Sequence, residues 1–109
     1  MQHATNKILY NVTVAIDQQI EQEWIDWMVS THIPDVMNTG KFSTYSLQKV
    51  LGSENETGVT YSVQYVAPNA DTYDEYQRDH AARLQQEHKA KYDGRYGAFR
   101  TIMEIVSHS

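Results

Sequence analysis

The chain has 109 residues, nine basic and fourteen acidic side chains for a net charge of −5, and no cysteine. That length is one domain, which buries roughly 60–70% of its unfolded surface and needs no covalent staples. The missing cysteine excludes disulfides, thiolate metal sites and cysteine nucleophiles, and it fits a reducing, cytoplasmic setting. An acidic chain is poorly suited to phosphate backbones: its one basic cluster, Lys89, Lys91, Arg95 and Arg100, is diluted by Glu87 and Asp93, so no nucleic-acid partner is expected. No apolar run approaches the ~20 residues of a membrane span, and Met1–Lys7 lacks the apolar core of a signal peptide. The sequons Asn11-Val12-Thr13 and Asn55-Glu56-Thr57 therefore read as chance matches. Eight tyrosines against two phenylalanines mark a chain whose aromatic groups want a hydrogen-bond partner when buried, as in interfaces and half-wet cavities.

Residues 1–6 are polar and are expected to be loose, leaving a single domain over residues 7–107. From Lys7 to Ile16 the chain alternates, with Ile8, Tyr10, Val12, Val14 and Ile16 on one side, which predicts a first strand with a strong apolar face. Asp17 offers an N-cap, and Ile20, Trp24, Trp27 and Met28 follow at helical period. Pro34 is expected to break or restart this helix, with residues 31–33 as a hinge, and Gly40 to end it in the left-handed region. A second strand is predicted over residues 42–51, with Phe42, Thr44, Ser46, Gln48 and Val50 on one face. The polar segment 52–58 is a hairpin connection. Val59, Tyr61, Val63 and Tyr65 form one face of a third strand that Pro68 and Asn69 stop. A long helix is predicted from about residue 71 to about residue 91, and a last strand over about 97–106 with Phe99, Thr101, Met103 and Ile105 on one face.

The resulting order, β-α-β-β-α-β, is the α+β signature of a ferredoxin-like fold, an antiparallel sheet with both helices on one face. The strands carry apolar groups on both sides (Leu9 with Ile8, Leu47 with Phe42, Val66 with Val63, Ile102 with Met103), where a solvated sheet face would alternate more cleanly. Two sheets packed face to face would cover them, so a symmetric homodimer is expected.

The motifs ILYNVTV, W-x-x-W-M at Trp24 to Met28, H-I-P-D-V at His32 to Val36, T-G-x-F at Thr39 to Phe42 and A-F-R-T at Ala98 to Thr101 resemble an uncharacterised bacterial family. It belongs to the dimeric α+β barrel superfamily, and the resemblance covers about residues 8–106. At superfamily level it reaches antibiotic-biosynthesis monooxygenases, haem-degrading monooxygenases, muconolactone isomerase and stress-responsive barrel proteins. The resemblance implies the fold and pairing as a dimeric barrel. It implies no particular chemistry, since one fold hosts many functions.

Two segments carry the candidate site. Trp24, Met28 and His32 are spaced i, i+4, i+8, and Tyr76, His80, Leu84 and His88 repeat that step, so each set falls on one helical face. A stripe that is partly polar yet points inward suits a pocket. His32 beside Pro34 is the acid/base candidate, since a neutral imidazole exchanges protons near pH 7. His80 and His88, about 12 Å apart along a helix, are too distant to share a metal, and no metal or cofactor is expected. One of them could instead be an axial haem ligand, as in haem-binding relatives of the barrel, against a bland reading as a half-covered polar stripe. Tyr61 and Tyr65, with Tyr45, could meet these histidines in a cavity, and Trp24 and Met28 would be its apolar wall. Arg100 and Glu104 read as a sheet-face charge pair, with capture of a substrate carboxylate by Arg100 as the sharper alternative. Gly-rich phosphate loops, nucleophile elbows and HExxH pairs are absent. The sequence thus points to a protein that binds a small hydrophobic or aromatic molecule between helices and sheet, in the manner of a cofactor-independent monooxygenase or isomerase. The alternatives are a non-catalytic interaction or ligand-sensing module and a haem-binding protein.

Overall fold

The computed structural model describes residues 6–56 and 58–109; the N-terminal segment expected to be loose lies almost wholly outside them. Four strands form one antiparallel sheet: β1 (Ile8–Asp17), β2 (Thr44–Lys49), β3 (Gly58–Ala67) and β4 (Tyr96–Glu104), in the spatial order β2-β3-β1-β4. One helical run after β1 comprises a short 3-10 turn (Gln18–Ile20), α1 (Glu21–Trp27), a π-helical turn (Met28–His32) and α2 (Ile33–Met37). The run after β3 repeats that plan with α3 (Ala70–Tyr76), a π-helical turn (Gln77–Ala81) and α4 (Ala82–Tyr92). This is the ferredoxin-like α+β arrangement that the element order predicts.

Local chemistry fixes the ends. Asp17 accepts a hydrogen bond from Gln19 N, and Asn69 accepts one from Thr72 N, so each helical run opens on a side-chain cap. Gly40 ends the first run with φ of 76°, a region that disfavours any side chain with a Cβ. β2 is shorter than residues 42–51. As an edge strand it runs over Thr44–Lys49, with Ser43 and Val50 each adding one backbone bond to β3, and Phe42 instead enters the core from the preceding loop, within 5.1 Å of the Tyr65 ring. Phe42 therefore does not share a face with Thr44 and Ser46, as the alternation suggested. Leu47 also faces inward, opposite Val63.

The largest departure from the sequence reading lies in the helices. No hinge occurs at residues 31–33: His32 and Ile33 keep right-handed helical angles, and Pro34 lies in the first turn of α2. A wider turn removes the clash that a proline ring makes with the carbonyl four residues earlier, so the break is absorbed as a π turn. Such a turn holds more than four residues, so the next inward position arrives at i+5. After Met28 the buried residue is Ile33, 1% exposed, and after Tyr76 it is Ala81, 3% exposed. In both runs a histidine occupies the i+4 position that an uninterrupted α-helix would have turned inward.

The core lies between the helices and the sheet face formed by Tyr10, Val14 and Ile16 of β1 and Val59, Val63 and Tyr65 of β3. Tyr10, Phe42, Tyr65, Tyr73 and Tyr76 form an aromatic cluster at one end of it. The opposite sheet face is mixed. Asn11, Thr13, Ser62 and Gln48 join through hydrogen bonds in its middle. Leu9, Val66 and Met103 lie abreast on three strands, and Phe99 is 62% exposed.

The phase set by the second π turn is testable. Ala81→Leu should destabilise the fold by about 1–3 kcal/mol through overpacking. His80→Ala should stay within about 0.5 kcal/mol. Urea denaturation of both variants checks this, and the reverse order would mean an uninterrupted helix.

Candidate functional site

Trp24 is the pivot of the site. α1 turns it straight onto the sheet, where it is fully buried (0% exposed) and packs on Tyr61 at 5.2 Å between ring centroids. Its indole Nε1–H donates to His88 Nε2 of α4 at 3.0 Å, tying the two helical runs together. An Nε2 that accepts leaves the proton of a neutral imidazole on Nδ1, so this bond selects the His88 tautomer. His88 is itself buried, with Tyr96 edge-on at 4.4 Å and Trp27 and Tyr92 around it. Burial pulls its pKa down to about 4, and His32 and Arg100 press the same way.

His32 sits at the end of the first π turn, stacked on Trp27 at 5.2 Å and edge-on to His88 at 5.7 Å. Burial lowers its pKa to about 4 as well, with Asp35 opposing and Arg100 adding to the shift. Two imidazoles in contact are therefore both neutral at physiological pH. Among the described residues, His32 Nδ1 is the buried side-chain nitrogen or oxygen without a hydrogen-bond partner. Such orphaned groups are uncommon in folded proteins and cost free energy where they occur.

Both histidines line a cavity of about 40 Å³ between the helices and the sheet. Val12, Val14, Met28, Val36, Val63 and Leu84 supply its apolar surface, and Tyr10, Tyr65, Tyr76, Tyr96, Gln85 and Arg100 its polar groups. Burial raises the pKa of both Tyr65 and Tyr76 well above the usual tyrosine value, so their hydroxyls stay protonated. Arg100 Nε donates to Tyr10 Oη at 3.2 Å.

The residues singled out from the sequence divide. His32, His88, Met28 and Tyr65 meet at the cavity, and Trp24 supports it from behind through His88. Tyr61 does not line it: its hydroxyl donates to Glu21 Oε2, and burial followed by that contact raises its pKa to about 12. His80 lies outside the cavity, half-buried in a separate shallow groove with Asp35, Arg83 and Glu87. The π turn is the reason, since it rotates His80 off the inward face. Tyr76 reaches the wall from the second helical stripe, and Tyr10 and Tyr96 belong to it although the sequence reading gave them no role there. Tyr10 was visible as part of the apolar row of β1, while Tyr96 stood between the predicted helix and the last strand and carried no signal. The haem alternative finds little support in this geometry. His88 Nε2 is occupied by the Trp24 indole, His80 is elsewhere, and the cavity is far smaller than a porphyrin. Among the described residues no three His, Asp or Glu side chains gather as a metal set, and no helix is long and apolar enough to cross a membrane.

Solved structures similar in fold span nearly the whole chain. A candidate antibiotic biosynthesis monooxygenase from Bacillus cereus superposes with a TM-score of 0.66 at 10% identity, covering 95% of this chain and 97% of that one. A hydroxynitrile lyase from Passiflora edulis gives 0.68 at 12% identity, covering 96% and 98%. A dimeric ferredoxin-like protein from an uncultured marine organism gives 0.60 at 8% identity, covering 95% and 99%. At such identities the likeness is one of fold. No curated protein matches the sequence. The family model described as Domain of unknown function (DUF4286) matches residues 7–106, and the chain belongs to that family.

Proposed function

We propose that this protein binds a small, largely apolar molecule in the cavity between helices and sheet, and that His32 exchanges a proton with it without a bound cofactor. The observation that carries this reading is the buried, partnerless His32 Nδ1 on the wall of an otherwise apolar hollow. A ligand hydroxyl, amide or acidic C–H placed there would satisfy that nitrogen, and a neutral imidazole is the form able to take the proton. His88, with its tautomer set by Trp24, and the Tyr65 hydroxyl would orient the ligand, while Met28 supplies apolar contact. A cavity of about 40 Å³ suits a few heavy atoms, or the small end of a larger ligand that continues outward past Arg100. Aromatic ligands fit with Met28 displaced, a side chain flexible enough to move. The enzymes of similar fold, among them the hydroxynitrile lyase, make a catalytic role a reasonable extension of binding.

The same proposal includes a cytoplasmic homodimer. Leu9, Val66, Met103 and Phe99 lie on the sheet face that the helices leave open, and a structural neighbour is described as dimeric. A second copy on that face would cover them.

Native mass spectrometry on gently purified protein should find a dimer, and Phe99→Lys should shift it toward monomer; a monomeric wild type would remove the barrel. Screening of small aliphatic and aromatic fragments by ligand-observed NMR should find binders whose affinity falls about tenfold or more in His32→Gln, the loss of one buried hydrogen bond. Unaltered binding in a folded His32→Gln would overturn the role given to His32.

The histidines also set a pH dependence. Their folded pKa values lie below the unfolded value of 6.5, so the unfolded chain binds protons first as pH falls. Stability is full above about pH 6.5 and declines toward about pH 4, by on the order of a few kcal/mol for the pair. Thermal melts across that window should show the slope, and the double variant His32→Gln, His88→Gln should flatten it.

A further inference from the structure

The polar groups of the cavity wall are unevenly charged. No aspartate or glutamate lines it, and Arg100 is its cationic side chain. Arg100 stands on β4, an edge strand, between Ala98 and Ile102 on the inward-facing row, and all three are exposed. The cavity therefore opens along this strand, with the guanidinium at its mouth and the apolar groups behind it.

Three features make Arg100 more than a solvated surface charge. Its Nε donates to Tyr10 Oη, which fixes the plane of the guanidinium against the cavity wall. Among the described residues, its Nη groups have no hydrogen-bond or ion-pair partner. Glu104, the carboxylate that the sequence spacing suggested for it, pairs in register with Ile8 while Arg100 pairs with Val12, which places the two about 13 Å apart along the strand. The Tyr10 hydroxyl accepts this bond and keeps its own proton.

We propose that the ligand is a monocarboxylate with a short apolar body. Its carboxylate lies on the Arg100 Nη groups, and its body among Val12, Val63 and Leu84, within reach of His32. This rests on the reading of the cavity as a ligand site and names the ligand class for it. A planar carboxylate matches the guanidinium fork in two parallel hydrogen bonds, and one negative charge balances one cation. A phosphate would bring a second charge and more acceptor oxygens than the mouth can satisfy. Low-dielectric walls on the inner side strengthen the pairing relative to an open surface, while the exposed side of Arg100 weakens it.

The test uses matched pairs that share a body and differ in charge: isobutyrate against isobutyramide, and phenylacetate against phenylacetamide. Each is titrated into isotope-labelled wild-type protein at neutral pH, following the Trp24 indole and the His32 and His88 ring signals. The acids should bind about tenfold tighter than their amides. Arg100→Gln and Arg100→Met, both at an exposed position and each checked by thermal melt, should erase that preference while leaving amide binding in place. Equal affinity for acid and amide in the wild type would overturn the anion assignment and leave the ligand site standing. Retention of the preference in both Arg100 variants would overturn the role of Arg100. Absence of binding by all four compounds would overturn this assignment together with the ligand-site reading.

Discussion

The hydrogen bond from Trp24 to His88 is the constraint on which the candidate site depends. It joins residues 64 positions apart, and both partners are buried, so losing either would leave a polar group stranded away from water. Its structural effect is to set the spacing of the two helical runs over the sheet. Its chemical effect is to occupy one nitrogen of His88 and place the remaining proton on the other. The same contact therefore fixes the cavity's width and the protonation pattern of its wall.

Around that bond the protein tolerates an unusual concentration of neutral polar groups. Two imidazoles touch, buried tyrosine hydroxyls stand close by, and burial is the leading cause of every shift in His32, His88, Tyr65 and Tyr76. Desolvation favours the uncharged form of each group, which keeps the pocket free of like-charge repulsion among its own members. The arrangement is stable where its hydrogen bonds close, as at Trp24 and Tyr10. It is unsatisfied at His32 Nδ1, the point where an incoming molecule has most to contribute.

The paired π turns give the two halves of the chain a common rhythm. Each adds a residue to a helical turn just where a histidine would otherwise face the sheet, and each brings an apolar residue inward instead, Ile33 and Ala81. The outcomes differ between the two runs. His32 stays at the edge of the cavity, held by Trp27, and His80 turns toward the outer groove. Wide turns of this kind cost helical hydrogen-bond geometry and recur near functional sites.

The sequence alone determined the order of elements, the alternating faces of β1 and β3, the capping residue Asp17 and the terminator Gly40. These follow from periodicity and local backbone preference, which act over a few residues and survive any packing. Trp24, Met28 and His88 also stood out, because α-helical spacing holds on either side of each π turn, and His32 stood out beside Pro34. The tertiary structure alone decided the rest. The phase across the π turns moved His80 away, since one added residue rotates every later side chain and leaves no mark in composition. The length of β2 and the entry of Phe42 into the core depended on an edge that only β3 supplies. The union of His32, His88, Tyr10, Tyr96 and Arg100 at one cavity depended on strand register and helix placement, which bring together residues that no local pattern connects.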